Sequence, residues 1–311
     1  MIDTLRNLPA PAKLNLLLHV TGRRPDGYHL LETVFELVDL CDRVHLRRRD
    51  DGAIVRAESL PGVAAEADLG VRAARLLAAA TGCRLGVEIA IEKRIPMGGG
   101  LGGGSSDAAT VLLGLNRLWG LALDRRALMS LGLRLGADVP VFVFGRRALG
   151  TGIGERLRAL PAAPAWFVVV APAVEVPTGA VFASAELTRN TKPLKISGLS
   201  RGRSVYRGKN DLEPVVCAAW PPVARALAAL KHAADSAGAD GRLARMTGSG
   251  ACVFCPVDDE PVAASIRKRL ARQAVGSVFV VRSLDRHPLS DWSFCRGSAL
   301  GRRDPGRQGA T

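Results

Sequence analysis

The sequence predicts an α+β chain of two domains, and three observations carry that prediction. Ile95 to Ala109 reads I-P-M-G-G-G-L-G-G-G-S-S-D-A-A, six glycines set between a strand-like and a helix-like stretch. Gly145, Gly150, Gly152 and Gly154 then break the composition and place a domain boundary near Gly154. Beyond that break the elements run β-α-β-β-α-β, which suits a split βαβ sandwich.

Taken in order, Ala12 to Val20 alternates as a strand, with Leu14, Leu16, Leu18 and Val20 on one face and Lys13, Asn15, Leu17 and His19 on the other. A buried ammonium is costly without an anionic partner, so Lys13 either faces a site or snorkels to water from the strand end. Pro25-Asp26-Gly27 is a turn that delivers Tyr28 and His29 to the next strand, where they pack at its edge or meet a base. Leu30–Leu40, Arg43–Arg47 and Ala53–Ala57 read as strands and Glu66–Thr81 as an amphipathic helix. Val87, Ile89 and Ile91 alternate with polar or small residues through Arg84–Arg94, the strand that leads into the glycines.

Glycine lets backbone N–H groups face a ligand without a Cβ in the way, and the first turn of a helix adds unpaired donors and the positive end of its dipole. An anionic phosphate chain is the natural occupant. Ser105, Ser106 or Asp107 can cap the helix that runs on to Trp119. Gly98, Gly100 and Gly103 also satisfy G-x-G-x-x-G, but the acidic residue that a dinucleotide fold wants about twenty residues on would fall between two helical patterns. No G-K-[ST] ending and no protein-kinase string is present.

A second helix follows from Asp124 to Leu135, and L-G-A-D-V-P-V-F-V-F-G then places Asp138 at the opening of a very apolar strand. There it is a turn residue or an acid–base group. After the break come a strand at Trp166–Val170, a turn into a helix around Phe182, and mainly helical Asn210–His232. A hairpin of Arg242–Met246 and Ala251–Cys255 turns around T-G-S-G, and a helix at Glu260–Gln273 precedes a last strand at Gly276–Arg282. Residues 189–209 are polar and basic and read as a mobile excursion; the Gly- and Arg-rich tail, 297–311, reads as disordered.

Bulk properties narrow the function classes. A net charge of +14 would suit a polyanion, yet only 5% of residues are aromatic and the basic residues are scattered, so a nucleic-acid-binding module is a remote alternative. Arginines on the surface would instead draw in phosphorylated small molecules. The six cysteines have no framework spacing, and the lone C-x-x-C at Cys252 and Cys255 lies in a strand, where residues three apart face opposite ways. No apolar run reaches the roughly 20 residues of a membrane span and no leader pattern opens the chain, so a cytoplasmic location is expected.

The strings P-A-K-L-N-L-L-L-H-V-T-G-R-R-P-D-G-Y-H-L-L from Pro11, P-M-G-G-G-L-G-G-G-S-S-D-A-A from Pro96, L-G-A-D-V-P-V-F from Leu135, N-D-L-E-P-V from Asn210 and T-G-S-G-A-C-V-F from Thr247 together resemble one family. It is the small-molecule kinase superfamily of galactokinase, homoserine kinase, mevalonate kinase and phosphomevalonate kinase, and the strings match it from Pro11 to Phe254.

The resemblance implies an N-terminal ribosomal-protein-like α/β domain, 1–154, and a C-terminal ferredoxin-like domain, 155–296. It implies ATP and Mg2+ as cofactors, with the ATP phosphates on Pro96, Met97, Gly98, Gly99, Gly100, Leu101, Gly102, Gly103, Gly104, Ser105 and Ser106. Lys13 and Asp138 would be the catalytic pair, while Asn15, Tyr28, His29 and Phe182 would hold a cytidine diphosphate-linked methylerythritol. Homoserine- or mevalonate-type activity is the alternative within the superfamily, disfavoured because D-G-Y-H-L-L supplies base-binding groups. No residue matches the helix carboxylate that holds magnesium in many members, so the metal ligands stay unassigned. A monomer or weak homodimer, no nucleic acid and no membrane complete the expectation.

Overall fold

The computed structural model describes residues 3–59, 62–193, 206 and 208–293. Its spine is a bent antiparallel hairpin of β1, Thr4–Arg23, and β2, His29–Arg49. β1 begins eight residues before the expected strand, and the two strands expected around Leu40 are one, with the pairing register shifted where Pro11 gives way to Ala12.

On its other edge β2 pairs with β4, Gly86–Glu92, over Arg43–Arg49 and with β5, Ala148–Thr151, over Thr33–Phe35. β3, Ile54–Arg56, lies parallel to β4, and β6, Arg156–Ala159, closes the sheet against β5. The sheet therefore continues past Gly154, where the sequence placed the boundary. The glycines at 152 and 154 take positive φ to make the β5–β6 turn, so the composition break marks a hairpin inside the first domain.

Two helices cover this sheet: α1, Leu69–Thr81, and α2, Gly103–Leu118. α1 starts three residues later than expected because Asp68 accepts from the amides of Gly70 and Val71 and caps it. α3, Arg125–Leu133, is capped in the same way by Asp124. Next comes a correction: Val139–Phe144, expected as a strand, is the short helix α4. Its β-branched and aromatic residues are buried on nearly all sides, so neither period shows in the sequence. Pro140 in its first turn and Gly145 in the left-handed region at its end (φ 77) are the helix signals.

The second sheet has the order β10-β7-β9-β8, all antiparallel, from β7 Trp166–Ala171, β8 Arg245–Met246, β9 Val253–Val257 and β10 Ser277–Arg282. This is the expected split βαβ arrangement. Between β7 and β8 lie α5, Thr178–Ala183, α6, Glu213–Ala219, and α7, Pro221–Asp235; α8, Glu260–Leu270, precedes β10. One face of the sheet buries Val168, Val170 and Cys255 against α7 and α8, and the other buries Phe167, Val169 and Cys252 against β1 and β2. Cys252 and Cys255 thus do face opposite ways.

The expected mobile stretch is anchored at both ends. Thr191 N donates to Val20 O at 3.0 Å, and Tyr206 is buried with its ring edge-on to Phe167. Residues 194–205 and the tail 297–311 lie outside the described residues.

After β10 the chain crosses back to the first domain, where His287 is sealed in. Its N–H donates to Gly145 O at 2.8 Å, and its Nδ1 accepts from Leu289 N at 3.0 Å. Burial pulls its pKa from 6.5 down to about 4. The unfolded chain therefore takes up a proton first: the stabilising contribution is whole above about pH 6.5 and is lost as pH falls toward about 4, a span of about 3 kcal/mol. Urea midpoints measured across that interval should fall less steeply in His287→Gln than in the parent chain. Equal slopes would assign the acid sensitivity to other groups.

Candidate active site between the two glycine segments

Where the two sheets meet, a cleft of about 940 Å3 opens, lined by Lys13, Asn15, Tyr28, His29, Asp138 and Phe182 and by every residue from Pro96 to Ser105. The sequence-predicted residues are therefore gathered in one place, with one exception. Ser106 is fully buried, and its Oγ has no hydrogen-bond partner among the described residues. The reason is that α2 begins earlier than expected, inside the glycines. Gly102 is its N-cap in the left-handed conformation (φ 74), no side chain caps it, and Ser106 is already a full turn in, facing the core.

β1 carries Lys13 into the centre of the cleft. Its backbone N–H donates to Leu101 O at 2.9 Å, and its Nζ donates to Asn15 Oδ1 at 2.5 Å and Gly100 O at 2.9 Å. Asp138 Oδ2 lies 3.3 Å from the same Nζ, and the Phe35 ring lies beneath it at 5.8 Å. The ammonium is 3% exposed against 38% for the Asp138 side chain, so one partner is fixed and the other opens to the cleft. Lys13 does not snorkel.

Asn15 is committed to this arrangement rather than free to meet a ligand. Its Nδ2 donates to Thr33 Oγ1 at 2.8 Å, and its N–H donates to Thr247 Oγ1 at 2.9 Å. Phe182 stacks on His29 with centroids 4.9 Å apart and ring planes at 29°, while Tyr28 stands 60% exposed at the mouth.

Backbone meets backbone between the loop at 98–102 and the turn at 247–250. Cys252 N donates to Gly99 O at 3.1 Å, and a Cβ on Gly99 would sit 2.5 Å from Cys252 Sγ. A Cβ on Gly248 would lie 2.9 Å from Gly100 O and 3.3 Å from Lys13 Nζ.

Several side chains important to the site escaped sequence reasoning. Asn210 Nδ2 donates to Met246 O at 3.0 Å and Gly248 O at 2.8 Å, which fixes the second glycine turn. The sequence marked Asn210 as the start of the N-D-L-E-P-V string and of a mainly helical stretch, without assigning it a role at the site. Asp42 and Asp107 flank Lys93 under the start of α2; Lys93 Nζ contacts Asp42 Oδ2 and donates to Asp107 Oδ2 at 2.7 Å. Burial, and then Asp42, push the Asp107 carboxyl up to about 7 against the pull of Lys93. Nothing local in the sequence joins these three residues.

Two family models match the chain: GHMP kinases N terminal domain over residues 68–146 and GHMP kinases C terminal over residues 203–276. A 4-diphosphocytidyl-2-C-methyl-D-erythritol kinase of Cupriavidus metallidurans is 53% identical over 290 residues, 93% of this chain and 96% of the relative. One of the same name from Thiobacillus denitrificans is 56% identical over 284 residues, 91% and 97% of the two chains. A crystal structure of 4-(cytidine 5'-diphospho)-2C-methyl-D-erythritol kinase superposes with a TM-score of 0.74 at 35% identity, covering 88% of this chain and 98% of that one.

The close approach of the two glycine segments is directly testable. Gly100 has φ +74, and a Cβ there would run into Thr247 O and lie 3.0 Å from Gly250 O, both backbone atoms that cannot swing away. Gly100→Ala should cost about 1–3 kcal/mol in a urea titration and weaken triphosphate binding in calorimetry. Gly179→Ala, where a Cβ would meet nothing within 4 Å, should stay within about 0.5 kcal/mol of the parent. Equal effects at the two positions would refute the packing account.

Proposed function

Because the chain belongs to the 4-diphosphocytidyl-2-C-methyl-D-erythritol kinase family of the GHMP kinases, we infer that it transfers the γ-phosphoryl group of ATP to the 2-hydroxyl of 4-diphosphocytidyl-2-C-methyl-D-erythritol. It is an ATP-dependent phosphotransferase with an alcohol group as acceptor, working in the non-mevalonate route to isoprenoid precursors. The observation that carries the assignment of residues is the Lys13–Asp138 contact of 3.3 Å beside the glycine loop. Phosphoryl transfer asks chiefly for alignment and charge neutralisation, which a preplaced cation, a carboxylate and a row of amide donors supply.

In this reading the triphosphate lies along Pro96–Ser105 at the start of α2, with the γ-phosphoryl group directed at Lys13. Asp138 orients the substrate hydroxyl and accepts its proton as the new oxygen–phosphorus bond forms and the bond to the bridging β–γ oxygen breaks. Lys13 steadies Asp138 and the oxygens of the moving phosphoryl group. Tyr28, His29 and Phe182 receive the cytosine at the other end of the cleft, His29 on its polar edge and the rings on its faces. Asn15 acts through Lys13, whose ammonium it holds.

The reaction's triphosphate carries magnesium, which neutralises phosphate charge when bound. Among the described residues no cluster of three potential ligands stands ready. The donors present do fit a cation held mostly by phosphates: Asp107 Oδ1 is buried without a hydrogen-bond partner, and Ser105 offers a hydroxyl in the first turn of α2. These two would hold it. No helix of the described residues is long and apolar enough to cross a membrane.

Asp138→Asn should lower kcat at least about a hundredfold while leaving the KM of both substrates nearly unchanged, as expected for loss of a positioned proton acceptor. A coupled ADP-release assay reads this, and the same assay run with mevalonate and homoserine checks the acceptor. Near-normal turnover in Asp138→Asn would remove that residue from the reaction, and ADP formed only with the other two alcohols would overturn the assignment.

A further inference from the structure

One arginine is bound more completely than a surface residue needs to be. Arg189 lies in the stretch that composition marks as solvent-facing, yet its Nη1 donates to Leu187 O at 3.0 Å and its Nη2 to Phe182 O at 2.9 Å and Ser184 O at 2.7 Å. Its Nε donates to His29 Nε2 at 3.0 Å. A guanidinium has no lone pair to offer, so His29 Nε2 must be the acceptor in that bond. Burial, then Arg189 and Arg23, hold the imidazole pKa below its ordinary value and keep the ring neutral. A neutral ring with a lone pair on Nε2 carries its proton on Nδ1.

The Nδ1 atom has no protein partner among the described residues and is not fully buried, and its ring lines the cleft. Phe182, whose carbonyl holds Arg189, also stacks on the imidazole and restricts its rotation.

We propose that Arg189 is a positioning residue that locks His29 as its Nδ1–H tautomer, so that the ring meets the pyrimidine edge as a hydrogen-bond donor. Cytosine presents N3 and O2 as acceptors beside its 4-amino donor; an Nδ1–H ring can meet either acceptor, whereas the opposite tautomer would set a lone pair against them. A lone pair facing a lone pair in a desolvated site is the kind of mismatch that discriminates strongly between ligands. The proposal rests on the placement of the base beside His29 and adds to it a cause for the ring's polarity.

Histidine ring nitrogens labelled with a magnetic isotope and read by long-range proton–nitrogen correlation report the tautomer in the whole, ligand-free chain near neutral pH. The His29 signal is assigned by its loss in His29→Gln. The parent chain should show Nδ1–H, Arg189→Met a majority of Nε2–H, and Arg189→Lys, which restores a cationic donor, a return toward Nδ1–H. In steady state Arg189→Met should raise the KM of the cytidyl substrate about tenfold or more, leave the KM of ATP and kcat within about twofold, and be rescued by Arg189→Lys.

An Nε2–H ring in the parent chain overturns the proposal whatever the variants do. So does an unchanged ring and an unchanged KM in Arg189→Met. Should that variant not fold, Arg189→Leu, which likewise has no donor, takes its place under the same criteria. If His29→Ala leaves the KM of the cytidyl substrate unaltered, the base lies elsewhere; a tautomer that still answers to Arg189 would show that the base placement failed and the lock did not.

Discussion

The architecture depends on one buried ammonium. Lys13 is sealed from water, and a cation there is tolerated only with oxygen atoms around it. Those oxygens come from three parts of the chain: Asn15 on the same strand, the Gly100 carbonyl in the loop, and Asp138 at the start of α4. None of the three segments positions the ammonium alone. Losing any one of them would leave a buried charge short of an oxygen, so the demand for oxygens couples the strand, the loop and the helix end mechanically. The geometry of the cleft around Lys13 and the stability of the domain junction are thus consequences of the same requirement.

That requirement also accounts for the second glycine segment. The Gly100 carbonyl meets Lys13 from a residue with positive φ, and the chain at 247–250 lies close behind it. Side chains at 99, 100 and 248 would each fill that space. Asn210 then fixes the turn through the Met246 and Gly248 carbonyls, and Thr247 binds the Asn15 amide. A residue beyond position 200 therefore acts on the ammonium near the N-terminus through two hydrogen-bonded steps. The C-terminal domain completes the site as well as covering it.

Much of this was legible in the sequence where the signal is local. The six glycines between β4 and α2, the alternation that brings Lys13 and Asn15 to one face, and the β-α-β-β-α-β order of the second domain all follow from period and composition. Val139–Phe144 was misread because a helix buried all round shows no stripe, and its short apolar run looks like a central strand. The boundary at Gly154 was misplaced because glycines signal a turn equally well within a domain and between domains. Arg189 and the Asp42–Lys93–Asp107 group could not be found at all. Their meaning lies in contacts between residues 160, 51 and 14 positions apart, and composition describes an arginine in a basic stretch only as solvated.

Asp138 shows how the site diverts a residue from an ordinary structural task. Asp68, Asp124 and Asp259 each stand at a helix N-cap and accept from an amide of the first turn. Asp138 occupies the same position ahead of α4, but it has right-handed helical backbone angles and makes no capping bond. Forgoing a cap costs about 1 kcal/mol, yet it leaves the carboxylate free to pair with Lys13 on one side and to face the cleft on the other. α4 is not short of support without it, since its side chains from Val139 to Val143 are buried against neighbouring helices. Packing stabilises the helix, and the carboxylate that the starts of α1, α3 and α8 use as a cap is left here to Lys13 and the cleft.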